Sequence, residues 1–286
     1  MKIIKYFFEF LVIINFFFIF KIIGYKNASN LGEVLGKILG PLFRSNSKIL
    51  KNLQNSNIGN SEEDRNNIIK NMWGNYGRIL SEYVYLKQFR RNKLKKYIEI
   101  EGLNFLEEIK NNNERVVFVS GHFNNFELMA MEIDKIGINL CAIYRPLNNP
   151  FLNIIMEKIR RNFICKNQIK KGKSGTRDLL NFFRENFSVA LMIDQRVSEG
   201  ESINLFKRMA KTTTIPAQLV KKYNCRVVPV YIERFKNFNF KLTFNKPIKF
   251  ENNLSIEDIS SELNSLLEKM ILKNPDQWIW SHDRWK

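Results

Sequence analysis

The chain has 286 residues, 44% of them hydrophobic and 26% charged, enough apolar material for a packed core, so disorder is excluded as its ground state. Lys and Arg number 46 against 28 Asp and Glu, a formal charge of +18. That surplus calls for an anionic partner (nucleic acid, an anionic bilayer, an acidic protein or a phosphorylated substrate), although the joint excess of Lys, Asn, Ile and Phe also fits an AT-rich coding bias that inflates it. Cys141, Cys165 and Cys225 form no CxxC pair, which argues against a disulfide framework and for a reducing compartment. With only His122 and His282 present, a His-rich metal centre is excluded, and no metal or cofactor is expected.

From the N-terminus, Ile3 to Ile23 is almost wholly apolar. As a helix these residues, at ~1.5 Å each, match a ~30 Å hydrocarbon layer. Four lysines (Lys2, Lys5, Lys21, Lys26) against Glu9 suit an anionic leaflet. No small-residue cleavage site follows, so a retained anchor over 1–26 is expected rather than a removed signal. Spanning the bilayer and lying in its interface both remain open. Asn30–Phe43 reads as a short amphipathic helix, and Ser61 with Asp64 resembles a capping box. Ile68, Ile69, Met72, Tyr76, Ile79, Leu80 and Tyr83 recur at helical spacing, predicting a helix to about Leu86. A basic run follows, Lys87, Arg90, Arg91, Lys93, Lys95 and Lys96, either a solvated face or a headgroup-binding one.

Beyond Tyr97 short apolar strands alternate with helices. Val116–Ser120, Leu140–Tyr144, Val189–Asp194 and Arg226–Ile232 are strand-like. Helical stretches lie near Glu127–Ile136, Phe151–Arg161, Thr176–Phe187 and Pro216–Tyr223. The alternation predicts an α/β fold with a mostly parallel central sheet flanked by helices, as a single domain over 27–286 behind a membrane-associated N-terminal helix. Pro229 inside the last strand predicts an edge or a bulge there.

The segment Val116-Val-Phe-Val-Ser-Gly-His122-Phe-Asn-Asn-Phe-Glu127 carries the chemistry. A strand ends at Ser120, Gly121 permits a tight turn, and Asn124 or Asn125 can cap a helix containing Glu127. Residues five apart on one helix lie ~140° apart, so His122 and Glu127 meet only if His122 sits in the turn before the helix. Glu127 then holds one ring nitrogen and the other takes a proton from a hydroxyl, beyond the carboxyl end of a parallel strand. A histidine that merely fills the turn is the alternative. Ser120 lacks the Gly-x-Ser-x-Gly elbow of a nucleophile.

Gly121-His122-Phe123-Asn-Asn-Phe-Glu127 resembles the Gly-His-x-Gly-Asn-Trp-Glu motif of the bacterial lipid A biosynthesis acyltransferases, the lauroyl/myristoyl transferase family within the lysophospholipid acyltransferase superfamily. Tyr144-Arg145-Pro146-Leu147-Asn-Asn149-Pro150 resembles its Tyr-Arg-Pro-x-x-Asn-Pro segment. Asp194-Gln195 resembles its Asp-Gln pair, and Phe206–Ala217 its Phe-Gly-Arg-Pro-Ala-x-Thr-Thr-Thr-Gly-Pro-Ala segment. Val228-Pro229-Val230, Glu233-Arg234 and the terminal Trp280-Ser-His282-Asp-Arg284-Trp285-Lys286 fit as well, in order over nearly the whole chain. Asn124 departs from the motif's Gly, and Lys207, Met209 and Ile215 from Gly, Pro and Gly, all outside the His122–Glu127 pair.

The resemblance implies transfer of a fatty acyl group from acyl carrier protein to a hydroxyl of a phosphorylated lipid A precursor in lipopolysaccharide biosynthesis. It implies the cytoplasmic face of a bacterial inner membrane as the place. His122 and Glu127 are the implied catalytic pair. Arg145, and after it Arg208, is expected to stabilise the oxyanion or bind a substrate phosphate, and Asp194 with Gln195 to organise the site. His282 is expected to pack. Alternatives are an acyltransferase using acyl-CoA on a lysophospholipid or another glycolipid, and a non-enzymatic basic membrane-surface or nucleic-acid binder. Against the first, the Phe-Pro-Glu-Gly-Thr string of glycerolipid enzymes is absent. Against nucleic acid, the basic runs lack Gly/aromatic RNA-binding motifs.

Overall fold

The computed structural model describes residues 2–286. Four helices come first, α1 (Lys2–Ile23), α2 (Tyr25–Phe43), α3 (Asn46–Asn55) and α4 (Glu62–Glu82), followed by a 3-10 turn at Tyr83–Tyr85 and the short α5 (Leu86–Arg90). Then come β1 (Ile98–Glu101), α6 (Leu103–Asn111), β2 (Val117–Ser120), α7 (Glu127–Ile136), β3 (Leu140–Tyr144), α8 (Pro150–Ile159), β4 (Asn167–Lys170), α9 (Lys173–Arg184) and β5 (Ser188–Met192). The chain closes with β6 (Glu201–Leu205), β7 (Arg208–Thr212), α10 (Ile215–Tyr223), β8 (Val227–Phe235), β9 (Asn239–Phe244) and α11 (Ile256–Lys273).

The seven-stranded sheet runs β1-β9-β8-β2-β5-β3-β4, and β6-β7 form a separate antiparallel hairpin. Every neighbouring pair in the large sheet is parallel except β8 with β9, so the mostly parallel, helix-flanked sheet read from the alternation is what forms. The central strand β2 (Val-Phe-Val-Ser) is buried at every position, as a strand covered on both faces must be.

Three local expectations are corrected in whole or in part. Pro229 does not lie on an edge strand, because β8 pairs on both sides, but the antiparallel register slips by one residue across it, from Val227↔Ile248 to Val230↔Phe244, as the bulge reading expects. Its register with β2 ends at Val119↔Pro229 and that with β9 begins at Val230↔Phe244, so the missing N–H falls where one ladder hands over to the other. Neither Asn124 nor Asn125 caps α7 through its side chain; Phe126 is the N-cap, and the backbone carbonyl of Asn125 accepts from Leu128 N–H. At Ser61 only half of a capping box forms: its hydroxyl accepts from Asp64 N–H, whereas the Asp64 carboxylate accepts from Asn60 N–H. The complete box, Ser255 with Asp258, opens α11, a helix the periodicity reading omitted.

α2 and α4 are pressed together through glycine. A Cβ on Gly77 would stand 1.8 Å from the Gly32 carbonyl oxygen, so only glycine permits that crossing. The contact brings Ser29 and Glu82 together inside the protein, with Ser29 Oγ donating to Glu82 Oε1 at 2.9 Å.

Candidate active site

β2 ends at Ser120 and the chain turns through Gly121–Phe126 into α7. Gly121 is required here for space rather than for a left-handed backbone, since a Cβ would meet Phe123 at 2.8 Å and Leu267 at 3.0 Å. Asn124 does adopt φ 43°, the left-handed region, at the position where the resembled motif carries glycine. Asparagine tolerates that conformation better than most residues.

The carboxylate that meets His122 belongs to Asp194. His122 Nδ1 and Asp194 Oδ1 are 2.7 Å apart, while His122 N–H and the Trp278 indole N–H both donate to Asp194 Oδ2, at 2.7 and 2.9 Å. Asp194 is fully buried just past the end of β5, the neighbour of β2. Burial by itself would push its carboxyl up. The facing imidazole and the three hydrogen bonds outweigh this and hold it below the ordinary aspartate value of 3.8, so the group is an ionised acceptor. An ionised acceptor requires a proton on Nδ1. That leaves the free lone pair on Nε2, on a ring that lines the cavity.

Glu127 is oriented elsewhere. Its Oε1 accepts from the Tyr83 hydroxyl and from Arg160 Nε, the latter at 2.8 Å. Arg160, in the turn after α8, is nearly as buried as Glu127 and pairs with it. Burial, and after it the Glu127 carboxylate, pushes the Tyr83 phenol well up, so it remains a neutral donor. Glu127 therefore stands in the same cavity as His122 but with a partner set the sequence reading did not foresee: Tyr83 and Arg160 in place of the imidazole.

The cavity, about 490 Å³, lies at the carboxyl ends of the strands, where α/β sheets bind ligands. Pairing between β3 and β5 stops at Ala142↔Ala190, although both strands continue. The cavity opens in that split, between Ile143–Tyr144 and Leu191–Met192. Its inner wall is apolar (Ala130, Ala142, Ala190, Ile164), and its rim carries Arg145, Lys170, Lys171 and Gln195. The result is an apolar slot with a cationic rim.

Of the sequence-predicted residues, His122, Glu127, Arg145 and Gln195 line this one cavity, and Asp194 lies beneath His122. Arg208 is not among the lining residues. It sits on β7 with its guanidinium 5.1 Å from the Trp285 ring centre. Lys207 and Phe206 form the two-residue turn of that hairpin with φ 57° and 54°, so Lys207 holds a left-handed position where the resembled segment has glycine. His282 is more than packing: its Nε2 accepts the Arg196 N–H at 3.0 Å, and the ring lines the cavity. Tyr83, Arg160 and Trp278 escaped the sequence reading, because each reaches the site from a distant segment and none sits in a motif with His122.

Residues 1–286 match the family model described as bacterial lipid A biosynthesis acyltransferase. The chain is similar to the lipid A biosynthesis myristoyltransferase of Escherichia coli (strain K12), 23% identical over 251 residues, covering 86% of this chain and 77% of that protein. It is similar also to the palmitoleoyltransferase of the same organism, 23% identical over 264 residues, 90% of this chain and 84% of that one. The lauroyltransferase of that organism matches over the same length and shares at 22% identity.

Proposed function

Since the chain belongs to the bacterial lipid A biosynthesis acyltransferase family, and so is an acyltransferase of lipid A biosynthesis, we propose that His122 Nε2 is the general base for attack of an acceptor hydroxyl on an acyl thioester. The observation that carries this reading is the buried, ionised Asp194 on Nδ1, which directs the free lone pair of His122 to the cavity. The hydroxyl oxygen attacks the thioester carbon as its proton passes to Nε2. Asp194 holds the ring and balances the imidazolium. The tetrahedral oxyanion collapses, the carbon–sulfur bond breaks, and the imidazolium returns its proton to the departing thiolate, leaving an ester and a thiol.

Of the two arginines expected to meet the oxyanion or a substrate phosphate, Arg145 is the better placed, because it lines the cavity while Arg208 stacks on Trp285. Gln195 offers an amide to the same space. Glu127 lines the same cavity and, tied to Arg160 and Tyr83, keeps Arg160 in its wall; that positioning is the role we assign it. The donor we propose is acyl carrier protein, whose acidic surface suits this basic chain; the acceptor is a hydroxyl of a phosphorylated lipid A precursor. We place the enzyme on the cytoplasmic face of the inner membrane, held there by α1, whose window of mean hydropathy 2.1 is only 6% buried.

The test is transfer from acyl carrier protein to a tetra- or penta-acylated precursor by purified enzyme, read by mass spectrometry. His122→Ala should abolish product while the variant still partitions to membranes. A variant retaining near-normal turnover removes His122 from the chemistry. Mass spectrometry of lipid A from cells with and without the gene identifies the acceptor and the chain.

A further inference from the structure

α1 is long enough to cross a bilayer, yet its contacts are those of a helix lying along one. At ~100° per residue, Ile4, Phe8, Leu11, Phe18, Ile19 and Ile22 fall within one arc of ~100°, and all six are exposed. Asn15, on the same arc, turns its amide back to the Leu11 carbonyl at 2.8 Å. The opposite face is fastened to the catalytic part of the protein at both ends. Near the start, Asn149 Nδ2 donates to the Tyr6 carbonyl at 2.8 Å and approaches the Glu9 carboxylate at 3.3 Å, and Phe151 packs on Phe7 and Phe10. Near the end, the Tyr85 hydroxyl donates to the Phe20 carbonyl, and Lys21 Nζ to the Val84 carbonyl at 3.0 Å.

These attachments decide the orientation. Tyr6 and Lys21 are separated by ~22 Å of helix. Were α1 to cross the membrane, whatever binds Tyr6 would sit ~22 Å deeper than whatever binds Lys21. Asn149 follows directly on Arg145–Asn148, a stretch of cavity wall that is neither helix nor strand and carries an exposed arginine. That wall would then lie in hydrocarbon, where irregular backbone and an exposed arginine are not tolerated. We propose that α1 lies in the plane of the leaflet, its exposed arc in the acyl region and its other face on the protein, so that the cavity mouth at Arg145–Asn148 opens directly onto the leaflet. The inference rests on the membrane reading above and goes beyond it in fixing orientation and route of entry.

Two more features fit a leaflet of anionic lipid. Cations stand at both ends of the helix, with Lys2 and Lys5 exposed at one and Lys21, Lys26 and Lys87 exposed at the other. An in-plane helix presents all of them to headgroups of one leaflet. Apolar side chains are also exposed on this side: Leu147 on the cavity wall, and Ile154 on α8, one turn beyond the Phe151 that packs on α1. A lipid can therefore pass from leaflet to cavity without its chain crossing water.

The experiment uses the full chain bound to vesicles of phosphatidylcholine with one quarter phosphatidylglycerol. Single cysteines at Ile4→Cys, Leu11→Cys and Phe18→Cys, all on the exposed arc, carry a fluorophore, and nitroxide lipids quench it at known depths; the native cysteines are buried. The three depths should agree within one helical turn, ~5 Å, and lie ~5–10 Å below the headgroups. Leu11 near the midplane, with Ile4 and Phe18 in opposite leaflets, would overturn the in-plane orientation while leaving membrane binding intact. A chain that fails to float with the vesicles would remove the membrane reading itself. A fourth label, Leu147→Cys, should be quenched by shallow nitroxides; if it is not, the mouth does not open onto the leaflet.

Discussion

Asp194→Asn separates orientation of the base from everything else the site does. The aspartate accepts two N–H donors at Oδ2, from the His122 backbone and the Trp278 indole, and faces His122 Nδ1 with Oδ1. An asparagine of the same shape must keep its single oxygen at the Oδ2 position to satisfy both backbone and indole donors. Its NH2 then faces Nδ1, donates to it, and forces the ring proton onto Nε2, the nitrogen that has to be free. Installing the wrong tautomer in an otherwise intact histidine–carboxylate pair costs about 10⁴-fold in rate, or ~5.5 kcal/mol. All three contacts keep a hydrogen bond, the one to Nδ1 with its direction reversed, so the melting temperature should move little. The assay is single-turnover transfer from acyl carrier protein beside a thermal melt. A variant within tenfold of wild type, or one that loses activity only because it unfolds, would refute the tautomer argument.

Removing Glu127 acts differently. Glu127→Ala leaves the Arg160 guanidinium buried without its partner, and breaking a buried pair costs ~3–5 kcal/mol; transfer should fall at least a hundredfold together with a lower melting temperature, and a fully active variant would exclude Glu127 from the site. Ala190→Leu fills the deep end of the cavity beside Ala142, so cells carrying it should incorporate a shorter acyl chain into lipid A; an unchanged chain would place the acyl group elsewhere. His282 titrates with a definite sign. Burial, opposed by the Asp194 carboxylate and assisted by Arg284, holds its pKa below 6.5, and its Nε2 must stay unprotonated to accept the Arg196 N–H. The unfolded chain therefore takes the proton first, and stability should fall as pH drops below 6.5. His282→Gln should flatten that slope in melts between pH 7.5 and 5, and parallel slopes would contradict the assignment.

What the sequence made legible followed from strong local patterns. The buried strand Val117–Ser120 and the helix of Glu127–Ile136 were readable because hydrophobic periodicity is continuous through them. β4 (Asn-Gln-Ile-Lys) and the β6–β7 hairpin were not, since polar residues fill most of their positions and long-range pairing rather than composition makes them strands. The site divides the same way. Four ordered motifs located His122, Glu127, Arg145 and Asp194, but spacing along the chain suggested that the histidine's carboxylate was the one five residues away. The partner instead comes from β5, seventy-two residues on, because β2 and β5 are adjacent parallel strands whose ends lie side by side. Adjacency across a sheet leaves no mark on sequence spacing.

The loop bearing His122 has almost no regular backbone pairing of its own, so its geometry has to be imposed from outside. Three polar anchors do this, two of them (Asp194 and Glu82) fully buried. Asp194 takes the His122 N–H; Gln277 accepts both the backbone and the side-chain N–H groups of Asn124; Glu82 receives Asn125 Nδ2 at 3.4 Å. Gln277 in turn binds the backbone of Arg234, and Arg234 closes on Glu82 with both guanidinium nitrogens at 2.7 and 3.0 Å. Replacing this network by apolar residues of similar volume would cost little stability on general grounds. What it would lose is a single position for the loop, and a base displaced by ~1 Å from the reacting hydroxyl forfeits ~100-fold in rate. Because Glu82 also binds Ser29 of α2, the network runs from the N-terminal helices to the turn that carries His122. The burial of so many charged groups behind one loop is therefore best explained by the precision that the proposed proton transfer at His122 would demand.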